Sequence, residues 1–301
     1  IDNHLVYFEY LWILLSNIFK HKKIMKYINQ IDIDHFIHEF KLQSNFCNEG
    51  NNILKFQDIY KNNKYIIIPK PIYISKEILL MEYVKGESYE TIDISRYHRY
   101  KLMLQYYLFI RNNSIIYDFN HGDLHKGNWK VKKIGDIYKL VIYDFGLCFR
   151  LGEKYNIVKK VLYITESDSE DKDLIKETIL DVITSEKDSL MIKRLEEHIK
   201  NEKVYADPTI FCNILLKFTY KYNYKVHSLA INYFILLIQW FKYMDNVKIF
   251  DKSTPIKGGI IKTVYMDAYS LCETLNIYPE YLEYAKSKIK NIKRENIFDT
   301  I

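Results

Sequence analysis

Residues 120–131 read NHGDLHKGNWKV, and residues 140–146 read LVIYDFG. The apolar residues of WKVKK (129–133) and YKLVIYD (138–144) lie on either side of a turn at Gly135 and Asp136, which predicts a β-hairpin. Asp123 then lies in the loop before the hairpin, and Asp144 lies at the end of its second strand. The two carboxylates therefore belong to two loops that the hairpin connects.

The residue types in these two loops match the needs of phosphoryl transfer. That reaction requires a carboxylate near the acceptor hydroxyl and oxygen ligands that hold Mg²⁺ against the phosphates. Asp123 is followed five residues later by Asn128, and the hairpin ends in Asp144-Phe145-Gly146. This order is that of the catalytic loop and the Asp-Phe-Gly segment of kinases. The tripeptide alone is weak evidence, whereas the ordered combination is specific.

The composition is that of a folded protein. The 301 residues include 48% hydrophobic and 27% charged residues, with only 9 glycines and 5 prolines. This length suits one large domain or two lobes, each with its own core. The 44 basic and 38 acidic residues give a net charge of +6 and are interspersed along the chain. The charge pattern therefore does not indicate nucleic-acid binding.

The spacing of the cysteines and the hydropathy of the chain indicate the cellular compartment and whether membrane-spanning segments are expected. The four cysteines are far apart, so no CxxC pair indicates a zinc or redox site, and reduced thiols in an intracellular, reducing compartment are expected. No signal peptide is visible. The most apolar runs, at 5–19 and 231–241, are shorter than the ~20 residues that a spanning helix needs. The sequence predicts no transmembrane segment and is compatible with peripheral membrane contact.

The first part of the chain is predicted to contain helices and a small sheet. Helices are expected at 5–19 and from about 33 to 60, the second with an apolar stripe of Leu42, Phe46, Ile53 and Phe56. Glu49 falls on this stripe, where an unpaired carboxylate is costly, so it should reach a cation or a polar cleft. The alternative is a carboxylate at the helix edge that reaches water.

Strands and further helices follow. Strand-like runs at 65–69, 71–75 and 78–84 predict a small antiparallel sheet beside the Glu49 helix, and a helix follows at 97–118. After residue 151 only helices are expected, at about 155–165, 170–185, 187–202, 208–222, 226–246, 262–275 and 279–292.

These motifs resemble a known family. HGDLHKGN (121–128) resembles the HxDxHxGN catalytic loop of the UbiB/AarF family of atypical protein-kinase-like proteins. ILLMEYVKGES (78–88) is similar to the hinge strand of that family, and FKLQSNFCNEGNNILKF (40–56) to its Glu-bearing helix. DFGLCFRL (144–151) leads into helices without an Ala-Pro-Glu segment, as in the family. The resemblance covers roughly residues 1–200.

The resemblance implies an α+β, protein-kinase-like fold of two lobes. Residues 1–84 would form a partial N-lobe with a small antiparallel sheet, and residues 85–301 a mainly helical C-lobe. It implies ATP and Mg²⁺ as cofactors. The implied site residues are Asp123 in the catalytic loop, Glu49 in the helix ion pair, Asn128 and Asp144 as metal ligands, and Met81, Glu82, Tyr83 and Val84 in the hinge against adenine.

The sequence also departs from the family pattern. Gln43 and Asn45 stand where the family has a Glu-x-Asp pair, and Lys126 stands where it usually has proline. The Lys-x-Gly-Gln segment, the Ala-rich phosphate loop and the strand lysine that pairs with the helix Glu would precede residue 1. We therefore expect an N-terminally shortened N-lobe, with Glu49 lacking its usual lysine.

Several functions remain open at this stage. The leading one is an atypical UbiB-like kinase or ATPase, which the resemblance links to isoprenoid quinone or lipid metabolism. A non-catalytic pseudokinase that acts as a binding or scaffold protein is the second. A small-molecule phosphotransferase similar to aminoglycoside or choline kinases is the third. A metal hydrolase would require His121, Asp123 and His125 to alternate along a strand. The phosphoryl acceptor, a lipid or another small molecule, is not identified.

Overall fold

A computed structural model describes residues 41–42, 44–152, 156–157, 160, 172–200, 208–245 and 259–288. The helix predicted at 5–19 lies outside the described residues, and the helix predicted at 155–165 lies largely outside them. The first described elements are helix α1 (Phe46–Tyr60) and the strands β1 (Ile66–Ile67), β2 (Pro71–Ile74) and β3 (Leu79–Met81).

Helix α1 starts at Phe46, so the prediction of one continuous helix from about residue 33 is wrong. Asn45 has an extended backbone, and its side chain accepts a hydrogen bond from Cys47 N at 3.1 Å, which makes it the N-cap. Only the part of the apolar stripe that lies after the first helical turn is buried. Ile53 and Phe56 are buried, whereas Leu42 and Phe46 are 40% and 36% exposed.

The three short strands do not form one sheet, which corrects the second expectation. Strands β2 and β3 pair antiparallel and pack beside α1, as predicted. Strand β1 instead pairs in parallel with β6 (Ile137–Ile142), with Ile66 opposite Leu140. Pro69 lies between β1 and β2, and Pro71 is the first residue of β2. Because proline has no N–H to donate, the ladder of β1 does not continue into β2.

The predicted hairpin is present. Strands β5 (Trp129–Ile134) and β6 pair in register from Trp129 opposite Ile142 to Ile134 opposite Ile137. Gly135 in the turn has φ 59°, a left-handed conformation that glycine adopts without a steric cost. The short strands β4 (Asn120–His121) and β7 (Cys148–Phe149) pair antiparallel, so the chain segments before and after the hairpin lie side by side.

Helix α2 (Arg96–Asn112) forms the centre of the larger, helical part, and its residues from Leu102 to Asn112 are buried. A π-helical turn, Asn113–Tyr117, continues it. Two polar contacts join α2 to the C-terminal helices: Trp240 Nε1 donates to Met103 O at 3.1 Å, and Tyr100 Oη donates to Asp267 Oδ2 at 2.6 Å. The further helices whose bounds the structure gives are α3 (Lys172–Val182), α4 (Ser189–Ile199), α5 (Pro208–Tyr222), α6 (Ser228–Asp245), α7 (Gly259–Leu275) and α8 (Pro279–Lys288).

The predicted α+β class is confirmed, because the described residues form three small sheets and are mostly helical. The lobe boundary at residue 84 stays a prediction. Among the described helices, none combines the length and the apolar character that crossing a bilayer would require.

Candidate functional site

The loop between β4 and β5 is built on a buried histidine. The Nδ1 atom of His121 accepts a hydrogen bond from Asp123 N at 3.2 Å, and Nε2 lies 3.0 Å from Tyr143 O. Both contacts fit one neutral tautomer in which Nε2 carries the proton and donates it. Burial lowers the pKa of His121, which favours this neutral form. His121 therefore holds the loop in place through both of its ring nitrogens.

Asp123 and Asn128 are joined within this loop. The Nδ2 group of Asn128 donates to Asp123 O at 2.9 Å and lies 3.4 Å from Asp123 Oδ2. The side-chain amide hydrogens of Asn128 thus point toward Asp123. Among the described residues, none donates a hydrogen bond to Asn128 Oδ1. Asn128 is buried, whereas the Asp123 carboxylate is half-buried. The Leu124 carbonyl accepts from Tyr106 Oη of α2 at 2.7 Å, which ties the loop to the helical core.

His125 gives the loop its turn, a task that the sequence did not reveal. Its Nδ1 accepts from Gly127 N at 2.9 Å, and its Nε2 lies 3.7 Å from Asp123 Oδ2. A Cβ atom at position 127 would lie 2.6 Å from His125 Cε1, so the imidazole occupies the space that any side chain there would need. His125 and Gly127 together fold the loop back toward Asp123.

Asp144 follows β6 in an exposed position with φ 54°, an uncommon backbone conformation for a residue other than glycine. Its Oδ1 accepts from Gly146 N at 3.3 Å. The preceding residue, Tyr143, is hydrogen-bonded to the loop that contains Asp123 and Asn128. Its N–H donates to Asn128 O at 2.8 Å. The structure thus brings the Asp144 segment and the loop of Asp123 and Asn128 against one another.

Helix α1 contacts the residue after Asp144. Glu49 is 8% exposed and its Oε1 accepts from Phe145 N at 3.3 Å, while Asn52 Nδ2 donates to Phe145 O at 2.9 Å. Burial and, to a smaller degree, the neighbouring Asp144 carboxylate raise the pKa of Glu49, and the bond from Phe145 N opposes this rise. Glu49 therefore points toward the segment of Asp144 and Phe145 and not toward water at the helix edge. Its role in an ion pair stays a prediction, since no described lysine or arginine forms one with it.

Sequence reasoning missed Asn52. It lies three residues after Glu49 and hence on the same face of the helix, which is the signal that could have identified it. Its amide and the Glu49 carboxylate hold the two backbone groups of one residue, Phe145.

The predicted hinge begins at Met81, the last residue of β3, and is connected to the residue before Asp144. Glu82 N donates to Lys70 O at 2.8 Å, and Val84 O accepts from Tyr143 Oη at 2.6 Å. Met81 is half-buried and Tyr83 is 86% exposed. Within the described part of the chain, Val84 N–H and Glu82 C=O have no hydrogen-bond partner. The Tyr143 hydroxyl, also missed from the sequence, thus links the hinge to the residue before Asp144.

The arrangement does not support the metal-hydrolase alternative. Strand β4 ends at His121, so Asp123 and His125 do not alternate with it along a strand, and both nitrogens of His121 are used within the protein. In the ranges that the structure describes, no three His, Cys, Asp or Glu side chains form a group that could hold a metal.

Known proteins resemble this chain to different extents. Residues 1–176 match the model of the family described as the ABC1 atypical kinase-like domain. An uncharacterized, chloroplastic aarF domain-containing protein kinase of Arabidopsis thaliana is 26% identical over 130 residues, which cover 42% of this chain and 18% of that protein. The structure of the Rv3197–erythromycin complex from Mycobacterium tuberculosis aligns with a TM-score of 0.43 at 14% identity, over 69% of this chain and 57% of that chain.

Proposed function

Because the chain belongs to the UbiB/AarF family of ABC1 atypical kinase-like proteins, we propose that it binds Mg²⁺-ATP and acts as an atypical kinase or ATPase. The nucleotide would lie in the cleft between α1, residues 81–84 and the loop that contains Asp123. The acceptor of the phosphoryl group is a separate question.

One observation carries this proposal: every predicted site element is bonded to the three residues 143–145. Tyr143 is bonded to Val84, His121 and Asn128. Phe145 is bonded to Glu49 and Asn52 of α1. Asp144 lies between these two anchors, which supports a fixed backbone position for it relative to the hinge, the helix and the loop of Asp123 and Asn128.

The oxygen atoms available here fit Mg²⁺. The metal is commonly held by one or two carboxylates together with phosphate oxygens and water, which agrees with a site that has few protein ligands. Asp144 offers an exposed carboxylate, and Asn128 offers Oδ1 because its Nδ2 is bonded to Asp123. When bound, Mg²⁺ neutralises charge that develops on the phosphates.

Asp123 would orient the acceptor hydroxyl or water and accept its proton. Its carboxylate is half-buried, lies near Asn128 Nδ2 and His125 Nε2, and remains accessible from the cleft. Positioning by such a carboxylate is the main protein contribution in phosphoryl transfer. The unbonded Val84 N–H and Glu82 C=O would receive the adenine edge, with Tyr143 Oη holding the segment in place.

The acceptor and the cellular setting are proposed from the family resemblance alone. It supports a link to isoprenoid quinone or lipid metabolism over a water-soluble acceptor such as those of aminoglycoside or choline kinases. The four free cysteines support a reducing compartment.

A pseudokinase is the second candidate, and one observation favours it. Glu49 lies near Asp144 and makes no ion pair with any described lysine or arginine, so two carboxylates face a cleft that should bind phosphates. In that case the protein would bind a partner or nucleotide without turnover.

Calorimetry with ATP, in Mg²⁺ and in EDTA, tests the proposal. Asp144→Asn should weaken Mg²⁺-ATP binding at least about tenfold, the equivalent of 1.4 kcal/mol. The matched control is Asp136→Asn in the exposed hairpin turn, which should bind as the wild type does. Asp123→Asn should retain binding and lose ATP hydrolysis.

The outcomes separate the candidates. Equal ATP affinity in the Asp144 and Asp136 variants, or binding unaffected by EDTA, would refute the Mg²⁺ site. ATP binding without hydrolysis in the wild type would favour the pseudokinase.

A further inference from the structure

The loop of residues 121–128 is supported from outside by side chains of two helices. On α2, Tyr106 Oη donates a hydrogen bond to Leu124 O at 2.7 Å. On α6, the hydroxyl of Tyr243 lies near the backbone of Lys126. The proposed kinase function assigns no role to Tyr243, which lies far beyond the loop in the sequence.

Three aromatic rings pack together beside this loop. The ring centroid of Tyr243 lies 5.4 Å from that of Trp129 and 5.9 Å from that of Tyr106. The rings of Tyr106 and Trp129 lie 5.3 Å apart, and all three pairs meet edge to face, which is a favoured geometry for aromatic rings. Trp129 directly follows Asn128, so a ring that fixes Trp129 also fixes the end of the loop.

The Tyr243 hydroxyl lies on the side of the three rings that faces the loop. Burial raises the pKa of Tyr243, and interactions of its hydroxyl with the Trp129 indole and the Lys126 backbone oppose this rise. The carboxylates of Glu90 and Asp123 also raise this pKa, so both lie close enough to act on the hydroxyl. Lys126 is held at its other end as well, since its Nζ lies 3.4 Å from Glu90 Oε2. The hydroxyl therefore lies beside the segment that follows Asp123.

Helix α6 holds Tyr243 in this place. Trp240 lies three residues earlier and hence on the same face of the helix. The Nε1 group of Trp240 donates to Met103 O of α2 at 3.1 Å, and its ring lies 4.8 Å from that of Tyr107. Because Trp240 is buried in this contact, the packing of α6 against α2 sets the position of Tyr243.

Helix α6 lies outside the part of the chain that the family model matches. That match covers residues 1–176, whereas α6 comprises Ser228–Asp245. The loop that contains the family motif thus receives support from a part of the chain that the motif does not include.

We propose that Tyr243 is a positioning residue for the loop that contains Asp123 and Asn128. Its ring holds Trp129 and its hydroxyl holds the Lys126 backbone, which keeps the two loop side chains in their relative places. The kinetic consequence of this role rests on the proposed phosphoryl transfer, whereas the effect on loop mobility does not. A displacement of the positioned groups would lower the rate of that transfer.

Hydrogen exchange of backbone amides, measured by NMR on the full chain, tests this role without an assay of activity. The Gly127 and Asn128 amides report on the loop, because they donate to Nδ1 and O of His125, both at 2.9 Å. Tyr243→Phe keeps the ring and removes the hydroxyl, so both amides should exchange about three to ten times faster. Exchange of the Val131 amide in β5 should not change.

Tyr269→Phe is the matched control. Tyr269 is half-buried on α7, and its hydroxyl lies 3.4 Å from Glu273 Oε1 of the same helix, so its loss should leave the loop amides as in the wild type. In Mg²⁺-ATP hydrolysis, Tyr243→Phe should lower kcat about three- to tenfold at an unchanged KM for ATP, because the hinge and Asp144 are not altered. A role in folding alone would lower the urea midpoint and leave kcat per folded molecule unchanged.

Equal exchange of the loop amides in Tyr243→Phe and Tyr269→Phe would overturn the proposal, and so would an unchanged kcat of Tyr243→Phe when the wild type hydrolyses ATP. If the wild type hydrolyses no ATP, the proposed kinase or ATPase activity fails, while the exchange rates still decide the role of Tyr243. Tyr243→Leu also removes the ring and should speed exchange further; if it fails to fold, the phenylalanine variant decides the question.

Discussion

Gly50 sets how closely helix α1 approaches strand β2, and its replacement by alanine should have a cost that depends on one neighbour. A Cβ atom at this position would lie 2.6, 2.7 and 2.9 Å from three side-chain atoms of Ile74. Such distances are shorter than any normal carbon–carbon contact. Because Ile74 is β-branched and prefers few rotamers, it cannot easily move aside.

The magnitude follows from two opposing effects. Overpacking of this kind costs about 1–3 kcal/mol, whereas alanine in a helix is favoured over glycine by about 1 kcal/mol. Gly50→Ala should therefore lower the free energy of unfolding by about 0–2 kcal/mol. In an Ile74→Ala background the clash is absent, so Gly50→Ala should raise the free energy of unfolding by about 1 kcal/mol.

Urea unfolding of the four proteins in this double-mutant cycle measures the coupling directly. We expect an interaction energy of about 1–3 kcal/mol between positions 50 and 74. A stabilising effect of Gly50→Ala of the same size in both backgrounds would show that α1 and β2 are not in this contact in solution. The cycle also reports on the cleft, since Glu49 precedes Gly50 on the same helix.

Three further predictions concern the residues around the cleft. The raised pKa of Glu49 means that wild-type stability should fall as the pH rises from the ordinary glutamate value of 4.5 through the raised one. Glu49→Gln keeps an acceptor for Phe145 N without the charge, so its urea midpoint should exceed that of the wild type at neutral pH and converge with it below pH 4.5. Tyr143→Phe removes the 2.6 Å bond to Val84 O and should cost about 0.5–1.5 kcal/mol in urea unfolding. Phe56→Ala empties a fully buried position and should cost about 3–5 kcal/mol by the same assay.

Each of these has a contradicting result. A Glu49→Gln difference that does not change with pH would mean that the carboxylate is not desolvated. Unchanged stability of Tyr143→Phe would mean that the hinge is not tied to that hydroxyl. Phe46→Ala is the control for Phe56, because Phe46 lies on the same helix but is 36% exposed, and the two changes should not cost the same.

Local sequence patterns were sufficient to predict much of the region around Asp123, Asn128 and Asp144. The hairpin of β5 and β6 follows from strand alternation and a turn glycine, both of which act between residues close in the chain. The order of Asp123, Asn128 and Asp144 likewise predicted loops at the two ends of that hairpin. Helix boundaries after residue 172 were also close to those observed, because helical periodicity is local.

Local patterns failed where one residue determined a change of direction or of partner. Asn45 can occupy a helix interior or cap a helix, and only the fold selected the cap. Strand β1 has too few residues to specify its neighbour, and its pairing with β6 depends on the arrangement of the whole sheet.

The sequence by itself determined the hairpin, the chemical set of Asp123, Asn128 and Asp144, and the family to which they point. The tertiary structure alone decided which distant backbone groups two side chains reach: Asn52 Nδ2 donates to Phe145 O, and Tyr143 Oη donates to Val84 O. The physical reason is distance along the chain: Asn52 and Phe145 are 93 residues apart. No local propensity encodes which distant backbone group a buried amide will meet.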